Sequence, residues 1–187
     1  MDRLDALDRA YEEFDRRVRA VRDDQWDAPT PCAEWSVRDL VGHLVGEHLW
    51  APWLLRGATL EEVGDRFDGD VLGDDPVAAW RRAAAESKAA FHRPGALEGR
   101  VHTSDGPRPT VDYAREMITD LTVHAWDLAR GIGADDRLDE ELARWVHDAV
   151  RPVAGTLRAT GLFGEPVEVA PSAGPQERLV ALLGRRP

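Results

Sequence analysis

An all-α helical bundle is the fold class predicted by this sequence of 187 residues. Three observations carry the prediction. Apolar residues recur at spacings of three and four in several separate segments, the period of a helix with one buried stripe. Start and stop residues bracket those segments: Ser36, Asp75-Pro76 and Thr110 open them, while Gly57, Pro94-Gly95 and Gly131 with Gly133 close them. Strand signal is nearly absent, apart from Asp105-Gly106 between extended-looking flanks.

In the first segment Leu4, Leu7, Tyr11, Phe14, Val18 and Val21 form the stripe, predicting a helix of about six turns. The stretch WDAPTPCAEW then breaks the period with its prolines. A second helix runs from the Ser36 cap to about Leu55, with Pro52 bending its last turn. Gly57 to Gly73 is acidic and reads as a loop with one helical turn at Leu60 to Val63. Asp75-Pro76 opens a third helix that ends near His92, and Arg100 to Thr110 suits a short hairpin. Thr110 caps a fourth helix to about Arg130, and Leu138 to about Thr160 is a fifth. Val167 to Pro171 reads as extended and Gln176 to Leu183 as a short last helix. No repeat, low-complexity tract or linker marks a boundary, so residues 1–187 are expected to form a single domain.

Composition narrows the function classes. Apolar residues make up 43% and charged residues 32%, the balance of a folded protein with a real core. The net charge of −11 is offset by no basic stripe, so nucleic-acid backbones and anionic lipid surfaces are repelled as partners. Cys32 is the one cysteine and cannot form an intrachain disulfide, which makes a reducing cytoplasm the expected compartment. The first residues, MDRLDALDRAYEE, are acidic and amphipathic, unlike a secretion signal. The most apolar stretch, Val41 to Leu55, holds His43, Glu47, His48 and Pro52 and cannot span a bilayer.

Chemistry concentrates on two helices. On the fourth, Asp120 and His124 stand one turn apart at the edge of the apolar arc, with Asp127 on the same side. On the second, His43 and Glu47 hold the same angular relation. Two carboxylate–imidazole pairs beside core-facing stripes suit a metal site formed between helices, and a set of two histidines and one carboxylate suits zinc, nickel or ferrous iron. The competing reading is an ordinary Asp–His hydrogen bond on a solvated flank, a common arrangement worth a few tenths of a kcal/mol. Spacing alone leaves both open.

The other reactive residues carry weaker signals. Cys32 reads as a small apolar residue rather than a nucleophile, with Glu34 raising its pKa. His48 lies on the apolar arc as a core histidine, whereas His92, His102 and His147 read as surface residues. The tryptophans are core fillers first, although Trp50 and Trp53 could line a pocket mouth near His43. No spacing resembles a calcium loop.

Three ordered strings, TPCAEWSVRDLVGHLVGE, DLTVHAWDLARGIG and FGEPVEVAPSAGPQERLVALLGRRP, also resemble the short metal-binding branch of the DinB/YfiT-like superfamily. That branch is related to the N-terminal domain of mycothiol-dependent maleylpyruvate isomerase. The resemblance implies a four-helix bundle with additional short helices and a divalent metal, zinc before nickel or iron. His43 would be the ligand from the GHL motif, and Asp120 and His124 the pair from the later helix. It further implies a low-molecular-weight thiol, mycothiol, as co-substrate and a small electrophile as its partner, in a transferase or an isomerase. Glu47 is then a candidate general base, or a residue lying behind the ligands or facing solvent, and Asp127 could orient an imidazole. A non-catalytic metal-binding or stress-associated bundle is the alternative. A homodimer through an exposed helix face is also expected.

Overall fold

A computed structural model of the protein describes residues 1–159 and 163–187. Its core is carried by four long helices: α1 (Arg3–Val18), α2 (Val37–Leu54), α4 (Pro76–Phe91) and α5 (Thr110–Ile132). A one-turn helix, α3 (Leu60–Val63), lies between α2 and α4; α6 (Glu140–Val150), α7 (Ala154–Ala159) and α8 (Pro175–Leu182) follow α5. Strands β1 (Arg100–Thr103) and β2 (Gly106–Pro109) make the expected hairpin, pairing Arg100 with Pro109 and Thr103 with Gly106.

The caps explain where the helices begin. Asp2, Ser36 and Asp75 each accept a hydrogen bond from a first-turn backbone N–H, and Asp5 and Asp39 return the bond to the first two caps. Each such cap stabilises its helix by about 1 kcal/mol. Thr110 departs from its expected role: it is the first helical residue, buried, and the cap position belongs to Pro109 without a side-chain bond. The first helix stops at Val18 rather than Val21, because the chain turns into a short 3-10 segment at Asp23–Gln25. Gln25 anchors that turn, donating to the Ile132 carbonyl at 2.9 Å and accepting from the Arg22 amide at 3.0 Å.

The expected fifth helix is broken. After α6 the chain passes through a 3-10 turn at Arg151–Val153, where Pro152 supplies no N–H, and α7 follows. Its expected end at Thr160 lies outside the described residues. Val167 to Pro171 forms no ladder; Val167 donates once, to the Ala181 carbonyl.

Packing divides the bundle into two tight pairs, α1 with α5 and α2 with α4, which meet along lighter α2–α5 and α1–α4 seams. Leu7, Phe14, Leu40, Leu44, Trp80, Leu121 and Trp126 are fully buried between them. Each large side chain so buried contributes about 1.5–3 kcal/mol. Helices α6 and α8 pack on each other, and α6 also lies on α5 and α1. The loop after α2 is held back onto it: the guanidinium groups of Arg56 and Arg66 lie 4.6 and 4.3 Å from the Trp53 ring centroid, and Trp50 meets Phe67 edge-on at 6.0 Å. Among the described residues no helix is long and apolar enough to cross a membrane.

Candidate metal centre

The α2–α5 seam brings the two carboxylate–imidazole helices together. His43 Nε2 lies 2.9 Å from Asp120 Oδ2, and His124 Nε2 lies 3.2 Å from Asp120 Oδ1. His43, Asp120 and His124 thus offer ligand atoms all within 4.8 Å of one another. The pair on α5 stands on no solvated flank: His124 is 6% exposed, so its contacts act in a medium of low dielectric.

Asp120 and His124 are both electrostatically displaced. Burial pushes the Asp120 carboxyl up, but the adjacent His124 and His43 outweigh it and hold it well below the usual carboxylate range. Burial pushes His124 down, yet Asp120 and Asp127 reverse this and raise it to about 9. His124 Nδ1 sits 3.0 Å from Asp127 Oδ2, so both ring nitrogens face a carboxylate. A positive charge must lie between Nε2 and Asp120, supplied by a proton or by a metal ion. Two imidazoles and one carboxylate, all reaching one point, fit a borderline divalent ion.

Glu47 is half-buried one turn beyond His43, not turned out to solvent. Burial and the Asp120 charge push its carboxyl up to about 7, against the opposing effect of His43. His48 is fully buried as expected. Its Nδ1 lies 3.1 Å from Tyr11 Oη and 2.9 Å from Ser87 Oγ, and burial drives it down to about 3.

The tryptophan against the site is Trp35, in the turn before α2. Its ring centroid is 4.9 Å from that of His43 and 5.7 Å from that of His124. Trp50 and Trp53 make their ring contacts with the loop after α2. Trp35 is held by a tight turn in which Thr30 N–H donates to its carbonyl at 3.1 Å, while Glu34 takes a left-handed φ of 67°. That turn rests on Gly131 of α5, where an added Cβ would stand 3.2 Å from the Pro29 carbonyl. Cys32, in the same turn, is half-buried and within 4.8 Å of ligand atoms of His124 and Asp127. Its thiol is pushed up by burial and by Asp127, not by the neighbouring Glu34.

Behind His124 stands a residue that sequence spacing does not mark. Arg185, in the segment after α8, donates from Nη2 to Asp127 Oδ2 at 2.8 Å and from Nε to Oδ1 at 3.2 Å. Asp127 is fully buried, and these bonds with that of His124 keep its carboxyl low despite burial.

Residues 7–129 match the family model described as the mycothiol maleylpyruvate isomerase N-terminal domain. The chain belongs to this family. Over 99% of its length it is 33% identical to Uncharacterized protein Rv0738 of Mycobacterium tuberculosis (strain ATCC 25618 / H37Rv), of which 98% is covered. The counterpart in strain CDC 1551 / Oshkosh gives the same values. In fold, the chain is similar to the crystal structure of mycothiol-dependent maleylpyruvate isomerase, with a TM-score of 0.61 and 16% identity over 79% of this chain and 68% of that one. A point mutant of the isomerase superimposes equally, with a TM-score of 0.62 and 14% identity over the same shares. The bundle is therefore the fold of the isomerase family, and the family match contains His43, Glu47, Asp120, His124 and Asp127 but not Arg185.

Proposed function

We propose that the protein is a metal- and low-molecular-weight-thiol-dependent transferase or isomerase, with mycothiol as co-substrate and a small electrophile as the group acted on. His43, Asp120 and His124 would hold one divalent ion, zinc before nickel or iron. The observation that carries this reading is the convergence of those three side chains from two helices in a chain of the mycothiol maleylpyruvate isomerase N-terminal domain family. When bound, such an ion supplies Lewis acidity and lowers the pKa of a thiol that reaches it.

The chain's own residues do the rest. Asp127 accepts the Nδ1 proton of His124 and so leaves Nε2 free for the ion. Trp35 lies over both imidazoles and excludes water from one side of them. Glu47, with a carboxyl near neutrality, takes the proton that the thiol gives up. The sulfur then forms a bond to the electrophilic carbon, and Glu47 returns its proton to the atom that received the electron pair.

Metal analysis of the purified protein is the first test, followed by conjugation of mycothiol to a generic electrophile before and after chelation. About one ion per chain, with activity lost on chelation and restored by zinc, is the expected result. Conjugation unaffected by chelation would refute the metal role. Tight metal binding without conjugation would leave a metal-binding bundle in place of an enzyme.

A further inference from the structure

Resting on the metal reading above, we infer that Arg185 is a positioning residue of the site: it locks Asp127, and Asp127 in turn holds the His124 ring with Nε2 toward Asp120 and His43. The chain thus completes its site from a segment outside the family-matched residues 7–129.

The geometry is that of a built socket. The guanidinium grips Asp127 with two donors at 2.8 and 3.2 Å, and Nη1 donates to the Leu183 carbonyl at 2.9 Å. The plane also lies over Phe163, 5.6 Å from its ring centroid. Asp127 Oδ2 is shared, accepting from Arg185 and lying 3.0 Å from His124 Nδ1. A single run of polar contacts therefore joins Arg185, Asp127, His124, Asp120 and His43.

The backbone is shaped to deliver this side chain. Gly184 has a φ of +83°, and a Cβ there would stand 2.7 Å from the Gly164 Cα, so only glycine allows this turn. The Arg185 amide closes the end of α8 on the Val180 carbonyl at 2.9 Å. Fastening a chain segment needs no buried ion pair, since apolar contact does it at lower desolvation cost. A bidentate guanidinium set against the carboxylate that grips His124 instead fixes direction. Removing it leaves a fully buried carboxylate with half its partners, free to turn from His124 or to take a proton.

The test compares wild type with Arg185→Ala, Arg185→Lys and the exposed neighbour Arg186→Ala. In metal-free protein, long-range proton–nitrogen correlation spectra should show the His124 Nδ1 proton in slow exchange for wild type and Arg186→Ala. Arg185→Ala should speed that exchange at least about tenfold, and Arg185→Lys should fall between. The zinc Kd, from competition with a chelator, should rise roughly 10–100-fold in Arg185→Ala, the cost usual for losing a group that orients a ligand. A purely structural role would lower Tm yet leave the ring signal and zinc Kd within twofold of wild type, and that overturns the inference. If Arg185→Ala does not fold, Arg185→Lys decides: a weakened zinc affinity supports the role and an unchanged one overturns it. If wild type binds no zinc, the metal reading falls, while the His124 signal still settles the part played by Arg185.

Discussion

His124 has carboxylates at both ring nitrogens, and this sets how the site responds to pH. With Asp127 keeping Nδ1–H, an ion must displace the proton from Nε2, which the free site holds up to about 9. Zinc affinity should therefore climb about tenfold per pH unit below 9 and then level off. Calorimetry at neutral pH in buffers of different ionisation enthalpy should report about one proton released per ion. His124→Ala should lose zinc by more than the roughly 10–100-fold expected of residues that merely orient ligands, with His102→Ala and His147→Ala as unaffected controls. Glu47→Gln should leave zinc content intact and lower the conjugation rate by roughly 10²–10⁴. It should also erase the inflection near pH 7, because Gln carries no ionisation there. The residues that could be read from sequence are those one turn apart on a helix, where Asp120 and His124 must share a face. Trp35 and Arg185 could not be read this way. They reach the site from a turn and from the segment after α8, and no periodicity links such segments to α5.

At the scale of elements, the starts of α1, α2 and α4 follow from their caps and the end of α6 from Pro152, whereas the end of α1 is set by a contact from elsewhere. Gln25 reaches across to the last carbonyl of α5, and no local pattern could have announced that. The helix that places the site, α5, also carries the position where the Trp35 turn touches it most closely. A Cβ on Gly131 would lie 3.1 Å from Thr30 Cγ2 and 3.2 Å from the Pro29 carbonyl. Gly131→Ala should be nearly neutral, since about 1 kcal/mol of helix propensity is gained while the methyl can yield and the carbonyl only in part. Gly131→Val should cost about 1–3 kcal/mol by overpacking and should lift the turn from α5. Thermal unfolding gives the first effect. A weaker fluorescence response of the protein to zinc, relative to Gly131→Ala, would show that Trp35 has left the imidazoles.

For the molecule as a whole, two buried histidines make opposite demands. His48, driven to about 3 from an ordinary 6.5, binds its proton more readily when unfolded. Its contribution to stability is present above 6.5 and is lost as pH falls toward 3. His124, raised to about 9, behaves in reverse: its contribution is complete below 6.5 and disappears as pH climbs through 9. Glu47, raised from 4.5 to about 7, loses its contribution over that range and offsets the gain from His48, so metal-free protein should show a broad Tm maximum at about pH 4.5–6.5 and lose several degrees on either side. Zinc should restore the alkaline side, because an ion bound only to the folded state stabilises by mass action. The division into two tight helix pairs adds a kinetic consequence. Helices α2 and α4 are near neighbours in sequence, whereas α1 and α5 close a loop about half the chain long, so the first pair can form early and the second late. His43 belongs to one pair and Asp120 with His124 to the other, so the three donors meet only once the pairs have docked. In stopped-flow experiments zinc should leave the refolding limb of the chevron where it is and lower the unfolding limb alone. The ion would then act as a late-fitting clasp, lengthening the lifetime of the assembled bundle without hastening its assembly.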